Sequence, residues 1–295
     1  MTPIRSALFI PADSERKLQK ALTCGADAVI FDFEDSVHPE RKQIAREILG
    51  DYLGSLKRSS GMPRLYVRVN ALDSGLTSSD LEAVLSANPD GIVQPKTLNG
   101  NCVKTLSSMM LQLRQDAGIS GAIPEILVIA TETPIALFHM HTYCDVSPHL
   151  SAMTWGAEDL SAELGAITNR DENGAHTSPY QLARSLCLAG AVAAGLQPID
   201  TVYPDFRNEQ GLRKESQDAV RDGFTGKLAI HPAQVPIIND VFTPSVEAIE
   251  QARSIIAAFA AQPQAGVINI DGEMFDIPHL TRAQRLLKRI PDGNV

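Results

Sequence analysis

The stretch AVIFDFEDSV, residues 28–37, opens as an apolar run built on Val29, Ile30, Phe31 and Phe33 and closes on two successive acids, Glu34 and Asp35, with Asp32 inside it. A short apolar run bounded by turn residues reads as a strand buried on both faces, the kind found in parallel sheets. Side chains alternate along a strand, so Asp32 and Glu34 are expected on one side and Asp35 on the other. A buried strand that ends in carboxylates delivers them to a rim of loops, where binding and catalytic groups concentrate.

Seven further runs of this kind recur: RSALFIP (5–11), RLYVRV (64–69), GIVQPK (91–96), EILVIAT (125–131), HLSAMTWG (149–156), PIDTVYP (198–204) and GKLAIHP (226–232). Helix-like segments lie between them, among them 14–25 with Ser14 and Gly25 as caps, 41–56 and 79–87. Strand then helix, eight times over, is the pattern of a parallel sheet with crossover helices, and eight units favour an α/β fold of the closed (β/α)8 TIM barrel type. The phosphate-binding fingerprints of open nucleotide folds are missing, since no G-x-G-x-x-G follows the first strand and no GxxxxGK[ST] occurs. The barrel is expected over 1–244. Residues 245–295 are expected to add a helix (245–262), a flap hairpin (265–278) whose Asp271-Gly272 suits a type I′ turn, and a closing helix (280–290).

With 295 residues, 44% of them hydrophobic, the chain can bury a large core. A net charge of -9 and a pI near 5.3 argue against a broad nucleic-acid surface, which needs a basic patch or stripe. Cys24, Cys102, Cys144 and Cys187 are widely spaced and form no CxxC pair, which points to neither a zinc site nor a disulfide framework and fits a reducing, cytoplasmic setting. The first apolar run breaks at Pro11 and Asp13, too soon for a secretory segment or a membrane span. A soluble protein with neither nucleic acid nor membrane as partner is expected.

In a TIM barrel the chemistry sits at the carboxyl ends of the strands. Read in order, those ends carry Asp13, Glu34 with Asp35, Arg68 with Asn70, Lys96, Glu132, Glu158 with Asp159, Tyr203 with Asp205, and His231. Acids at several strand ends with few Cys or His beside them are hard oxygen donors, suited to Mg²⁺ or Mn²⁺ rather than zinc. Glu132 and Asp159, each just past a strand, are the candidate direct ligands; each also suits the first turn of a following helix, which for Glu132 would be 134–141, opened by Pro134. The planar fork of Arg68 can clamp a carboxylate or stabilise an oxyanion, and it can equally form an ion pair with Glu34 or Asp32. His231 is either an acid–base group or a hydrogen-bonded wall residue. His139 and His141, two residues apart, cannot share a helix face and are not read as a metal pair.

RSALFIPADSERK, GADAVIFDFEDSV, RLYVRVN, IVQPK, TET, WGAEDLSAELG, GFTGKLAIHPAQ and GEMFD, taken in this order, resemble the citrate lyase β-subunit-like (HpcH/HpaI aldolase/citrate lyase) family, closest to its malyl-CoA and citramalyl-CoA lyases. The resemblance implies a Mg²⁺-dependent TIM-barrel enzyme, with Mn²⁺ an acceptable substitute, that cleaves a C–C bond in a 3-hydroxyacyl-CoA thioester by retro-Claisen chemistry. It also implies a homo-oligomer, a trimer or a dimer of trimers. Carried over by position, Glu132 and Asp159 hold the metal, Arg68 contacts substrate, and Glu34 and Asp35 support Arg68 and the metal's waters. Asp276 is the acid–base group, delivered by the flap of a neighbouring subunit. Arg16, Lys17 and Lys96 are the candidate cations for the CoA phosphates. Two further readings are a citrate lyase β subunit acting on a carrier-bound citryl thioester and a non-catalytic CoA-thioester-binding protein. Phe31 and Phe33 stand where Leu is more usual in the family, and PIA after Glu132-Thr133 replaces a small residue and Gly, which reshapes the wall near the acid portion of the substrate.

Overall fold

The computed structural model describes residues 3–290. Its barrel strands are β1 (Ser6–Pro11), β2 (Ala28–Asp32), β3 (Arg64–Arg68), β4 (Gly91–Gln94), β5 (Glu125–Ile129), β6 (Leu150–Thr154), β7 (Gln197–Asp200) and β8 (Gly226–Ala229). All eight pair in parallel in sequence order, and β1 pairs with β8 to close the barrel, as the strand–helix count predicts. Helices α1 (Glu15–Ala21), α2 (Lys42–Ser55), α3 (Thr77–Val84), α4 (Gly100–Asp116), α5 (Ala157–Glu163), α6 (Ser178–Ala193), α7 (Glu209–Asp222) and α8 (Val235–Phe242) surround it.

Alternation along each strand separates two cores. Ala7, Ile30, Tyr66, Leu127, Ile199 and Leu228 fill the lumen, while Leu8, Val29, Phe31, Val67, Val128 and Met153 face the helices. The lumen is therefore packed rather than open, and inward-facing strand ends such as Asp32 and Arg68 are left to face the mouth. The strands end sooner than the sequence suggests. β2 stops at Asp32, so the alternation expected for Glu34 and Asp35 fails: both lie in the turn after the strand. The helix expected at 134–141 is a 3₁₀ segment, Pro134–Tyr143. It is held from outside by bonds such as His139 Nδ1 to the Leu98 carbonyl, 3.1 Å, and it leaves the two histidines without a common partner.

Beyond the barrel come α9 (Val246–Ala261), the antiparallel hairpin β9 (Val267–Ile270) and β10 (Glu273–Asp276), and α10 (Ile277–Leu287). Asp271 and Gly272 at the hairpin tip have φ of 50° and 90°, the left-handed pair that a type I′ turn demands. These elements share a small core of their own, including Ile255, Phe259, Ile268 and Phe275. Among the described residues no helix is long and apolar enough to cross a membrane.

One polar cluster lies in the layer between barrel and helices. The Lys227 ammonium, on the outer face of β8, is fully buried and bonds Asp200 at 2.8 Å and Glu215 of α7 at 2.9 Å. Asp200 also accepts from Trp155 Nε1 at 2.8 Å. Burial raises both acids, but the Lys227 charge outweighs it and holds each below its ordinary value. Their contribution to stability is thus present above about pH 4 and is lost as pH falls through the lowered native values. Removing the ammonium leaves buried Asp200 with Arg184 at 3.4 Å and half-buried Glu215 with Arg170 at 2.7 Å, and should cost about 3 kcal/mol, the low end for breaking a buried pair. Urea unfolding of Lys227→Met should show this gap at pH 7 and a narrower one at pH 3.5; a gap independent of pH would contradict the account.

Candidate active site

Strand register builds the mouth of the barrel. Asp32 and Arg68, the last residues of β2 and β3, are register partners whose side chains lie on the lumen side. They meet as a fork on a carboxylate, with Arg68 Nε 2.6 Å from Asp32 Oδ1 and Nη2 2.7 Å from Oδ2. Arg68 Nη1 lies 2.9 Å from Glu34 Oε2, and the guanidinium sits 4.7 Å from the centroid of the Phe9 ring. Burial alone would raise Asp32, but the Arg68 charge and hydrogen bonds outweigh it and hold the carboxyl below its ordinary value. Burial likewise opposes the Arg68 charge and loses to Asp32, so Arg68 remains cationic. Both ion pairs weighed for Arg68 in the sequence therefore exist together, and its five N–H donors leave some for a substrate oxygen.

Lys96 gathers the remaining acids. It follows β4 in a left-handed conformation, φ 50°, which turns its backbone N–H onto the Glu132 carboxylate and its ammonium onto Glu34. The same ammonium bonds Asp35 Oδ1 at 3.1 Å and lies 3.4 Å from Asp159 Oδ1. The Lys96 ammonium thus faces three carboxylates of the mouth rather than the outer rim.

Glu132, beyond the end of β5, is 2% exposed. Burial, then the neighbouring charges of Asp159 and Glu34, push its carboxyl well above the usual range. Gly156, at the start of α5, makes this seat possible, since a Cβ there would come 2.7 Å from Glu132 Cγ. No group of three or more His, Cys, Asp or Glu side chains among the described residues forms a metal cage. The donor set is instead the hard-oxygen pair of Glu132, from the β5 end, and Asp159, in the first turn of α5, with Glu34 and Asp35 nearby. Mg²⁺ commonly takes one or two protein carboxylates and completes its shell with water and substrate oxygens. A buried carboxyl destabilised by its acid neighbours fits that ion.

The structure thus brings together Glu34, Asp35, Arg68, Lys96, Glu132 and Asp159. Arg16 and Lys17 are exposed in the first turns of α1, without ion pairs among the described residues. Asp276, the last residue of β10, caps α10 and bonds His279, with Oδ1 to Nδ1 at 2.5 Å. Its hydrogen bonds within the chain go to His279 and to no residue of the barrel mouth. His231 stacks on Phe206 at 4.5 Å and accepts from the Ala233 N–H, the wall-residue alternative. The role of Gly156 and the backbone turn at Lys96 escape a reading of strand ends, because neither is signalled by a chemically active side chain at the expected place.

A parallel barrel with acids, an arginine and a lysine converging at its carboxyl rim defines the class: an α/β-barrel carbon–carbon lyase. The chain belongs to the HpcH/HpaI aldolase/citrate lyase family, whose model matches residues 5–232. It is 34% identical over 298 residues to the mitochondrial citramalyl-CoA lyase of Rattus norvegicus, covering 97% of this chain and 85% of that protein. It is 36% identical over 289 residues to the (3S)-malyl-CoA thioesterase of Cereibacter sphaeroides strain KD131, covering 97% and 94%. The crystal structure of CitE from Mycobacterium tuberculosis in complex with magnesium, acetoacetate and coenzyme A superposes with a TM-score of 0.77 at 31% identity, covering 96% of this chain and 97% of that one.

The seat of Glu132 gives a direct test. Gly156→Ala must displace the Glu132 side chain, so Mn²⁺ affinity measured by calorimetry should fall about 10-fold or more, within the range usual for losing a ligand's support. An unchanged affinity would remove Glu132 from the metal.

Proposed function

We propose that this protein is a Mg²⁺-dependent lyase that cleaves a 3-hydroxyacyl-CoA thioester of the malyl-CoA or citramalyl-CoA type into an acyl-CoA and a 2-oxo acid. The observation that carries the reading is the juxtaposition of the Glu132–Asp159 pair with a fully ionised Arg68 at one barrel mouth. A bound Mg²⁺, held by Glu132 and Asp159 and replaceable by Mn²⁺, would supply Lewis-acid polarisation of the carboxylate and carbonyl oxygens of the acid portion.

The protein's own groups do the rest. Asp276, carried on the flap of a second copy, takes the proton from the substrate's 3-hydroxyl as the C2–C3 bond breaks. The electron pair passes into the thioester carbonyl to give an enolate, and the free donors of Arg68 stabilise that oxygen. The enolate then takes at C2 the proton that Asp276 carries, which restores the Asp276 carboxylate and releases the acyl-CoA beside the 2-oxo acid. Glu34 and Asp35 keep Arg68 and Lys96 oriented, and Arg16 and Lys17 at the rim meet the CoA phosphates. Delivery of Asp276 from a second copy agrees with its distance from the mouth's hydrogen-bond network and with the exposed apolar Val267, Met274 and Ile277 around it. A homo-oligomer, trimeric or a dimer of trimers, supplies that copy.

A second reading is thioester hydrolysis, favoured by the 36% identity to a malyl-CoA thioesterase. Mass spectrometry of a reaction with Mg²⁺ separates the two. The lyase yields acetyl-CoA with glyoxylate or pyruvate, whereas hydrolysis yields free CoA with the intact hydroxy acid. The β subunit of a citrate lyase complex would act only on carrier-bound thioester, and a non-catalytic thioester-binding protein would bind without turnover. Asp276→Ala should lower kcat about 10²–10⁴-fold and leave Mg²⁺ binding unchanged. Co-expressing Asp276→Ala with Glu132→Gln should restore part of the activity in mixed oligomers; no recovery in confirmed hetero-oligomers would place Asp276 outside the partner's site.

A further inference from the structure

The turn that presents Glu34 and Asp35 is tied by two backbone bonds, Phe33 N–H to the Arg68 carbonyl at 2.9 Å and Val37 N–H to the Glu34 carbonyl at 3.0 Å, and two side chains brace it further. From one side Asp32 accepts the Glu34 N–H at 2.8 Å and the Ser36 N–H at 3.1 Å. From the other, the ammonium of Lys42, first residue of α2, donates to the carbonyls of Phe33 at 2.7 Å and Glu34 at 2.8 Å and to Asn70 Oδ1 at 2.7 Å. An ammonium has three donors, and all three are used.

Asn70 is itself anchored. Its backbone N–H and Nδ2 both donate to Asp80 Oδ2, at 2.7 and 2.6 Å, and Asp80 Oδ1 accepts from Arg46 Nε at 2.7 Å. Asp80 is fully buried and Arg46 nearly so. A line of hydrogen bonds thus runs from α2 and α3, through Asn70 beyond β3 and through Lys42, to the two peptide carbonyls beneath the acids. Lys42 makes no hydrogen bond to the carboxylates at the mouth; it acts on them through the peptide carbonyls it holds and through its charge, which Asp32, Glu34 and Asp35 feel.

We propose that Lys42 is a positioning residue of the active site: it fixes the peptide planes of residues 33 and 34 so that Glu34 and Asp35 face Arg68 and Lys96. The inference rests on the lyase reading of that mouth and adds to it the group that sets the acids' geometry. Without the ammonium the Phe33 carbonyl loses its charged donor and the Glu34 carbonyl keeps only the Val37 N–H, so Asp32 and two backbone bonds are left to hold the turn and Glu34 is less firmly fixed against Arg68 and Lys96.

Lys42→Met keeps the aliphatic stem and removes the donors; Lys42→Gln can still satisfy one carbonyl. For Lys42→Met, kcat per folded active site should fall about 10- to 100-fold with KM changed no more than about 3-fold, and Mn²⁺ affinity read by electron paramagnetic resonance without substrate should weaken about 10-fold. Lys42→Gln should lie between Lys42→Met and the parent in both readouts, and it carries the comparison if Lys42→Met does not fold. A lowered melting temperature with kcat per active site and Mn²⁺ affinity at parental values would mean that Lys42 is merely structural and would overturn the proposal. If the parent turns over no thioester, the lyase reading fails, while the Mn²⁺ comparison still decides whether Lys42 positions the acids.

Discussion

The constraint on which the site depends is an excess of carboxylates at the mouth of the barrel. Asp32, Glu34, Asp35, Glu132 and Asp159 converge there, and Arg68 and Lys96 are the cations they meet. Like charges in a region of low dielectric repel strongly, and each acid stays ionised only as far as a cation compensates it. Asp32 is fully compensated, because Arg68 grips both its oxygens. Glu132 is not: it receives one backbone N–H and is flanked by Asp159 and Glu34, so its ionised form is disfavoured. Burial leaves Glu34 above its ordinary value as well, despite Arg68 and Lys96, but the imbalance is greatest at Glu132, where a further positive charge would be most strongly bound.

That imbalance organises the roles of the surrounding residues. Arg68 and Lys96 lie against the acids on the β2 side of the mouth, and the β5–β6 side, with Glu132 and Asp159, is where the proposed divalent ion would sit. The backbone serves the same division. A left-handed Lys96 offers N–H to one acid and ammonium to the others, and Gly156 clears the volume in which Glu132 sits. Lys42 and Asp32 together pin the turn between the two halves. Within one chain Asp276 on the flap bonds His279 and takes no part in this arrangement; on the proposed function, closing a second copy's flap would also exclude water while an enolate exists.

Much of this was legible in the order of residues, for a physical reason. Parallel strands buried on both faces are continuous apolar runs, and eight such runs with helices between them leave little alternative to a closed barrel. The acids at the strand ends stood out because a buried strand does not otherwise finish in charge. What the order of residues could not show was where each strand stops. AVIFDFEDSV reads as one strand through Glu34, yet β2 ends at Asp32, and the two-residue difference turns an expected alternation into a turn whose acids both face Lys96. The contacts of Lys96 are hidden for a related reason: a lysine at a rim looks like a free cation until its φ is known. Lys42 and Gly156 act through backbone contacts and empty volume, neither of which leaves a periodic or compositional trace.

On the proposed function, the uncompensated pair, Glu132 and Asp159, binds the metal and presents it to a 2-oxo acid beside Arg68. Anomalous diffraction from crystals of the protein soaked with Mn²⁺ and pyruvate tests it most directly. The expected result is one strong peak ligated by Glu132 and Asp159, with pyruvate oxygens completing its shell and Arg68 within hydrogen-bonding reach of the ligand. A peak held by other residues, or pyruvate seated at the mouth with no metal between it and these two acids, would contradict it.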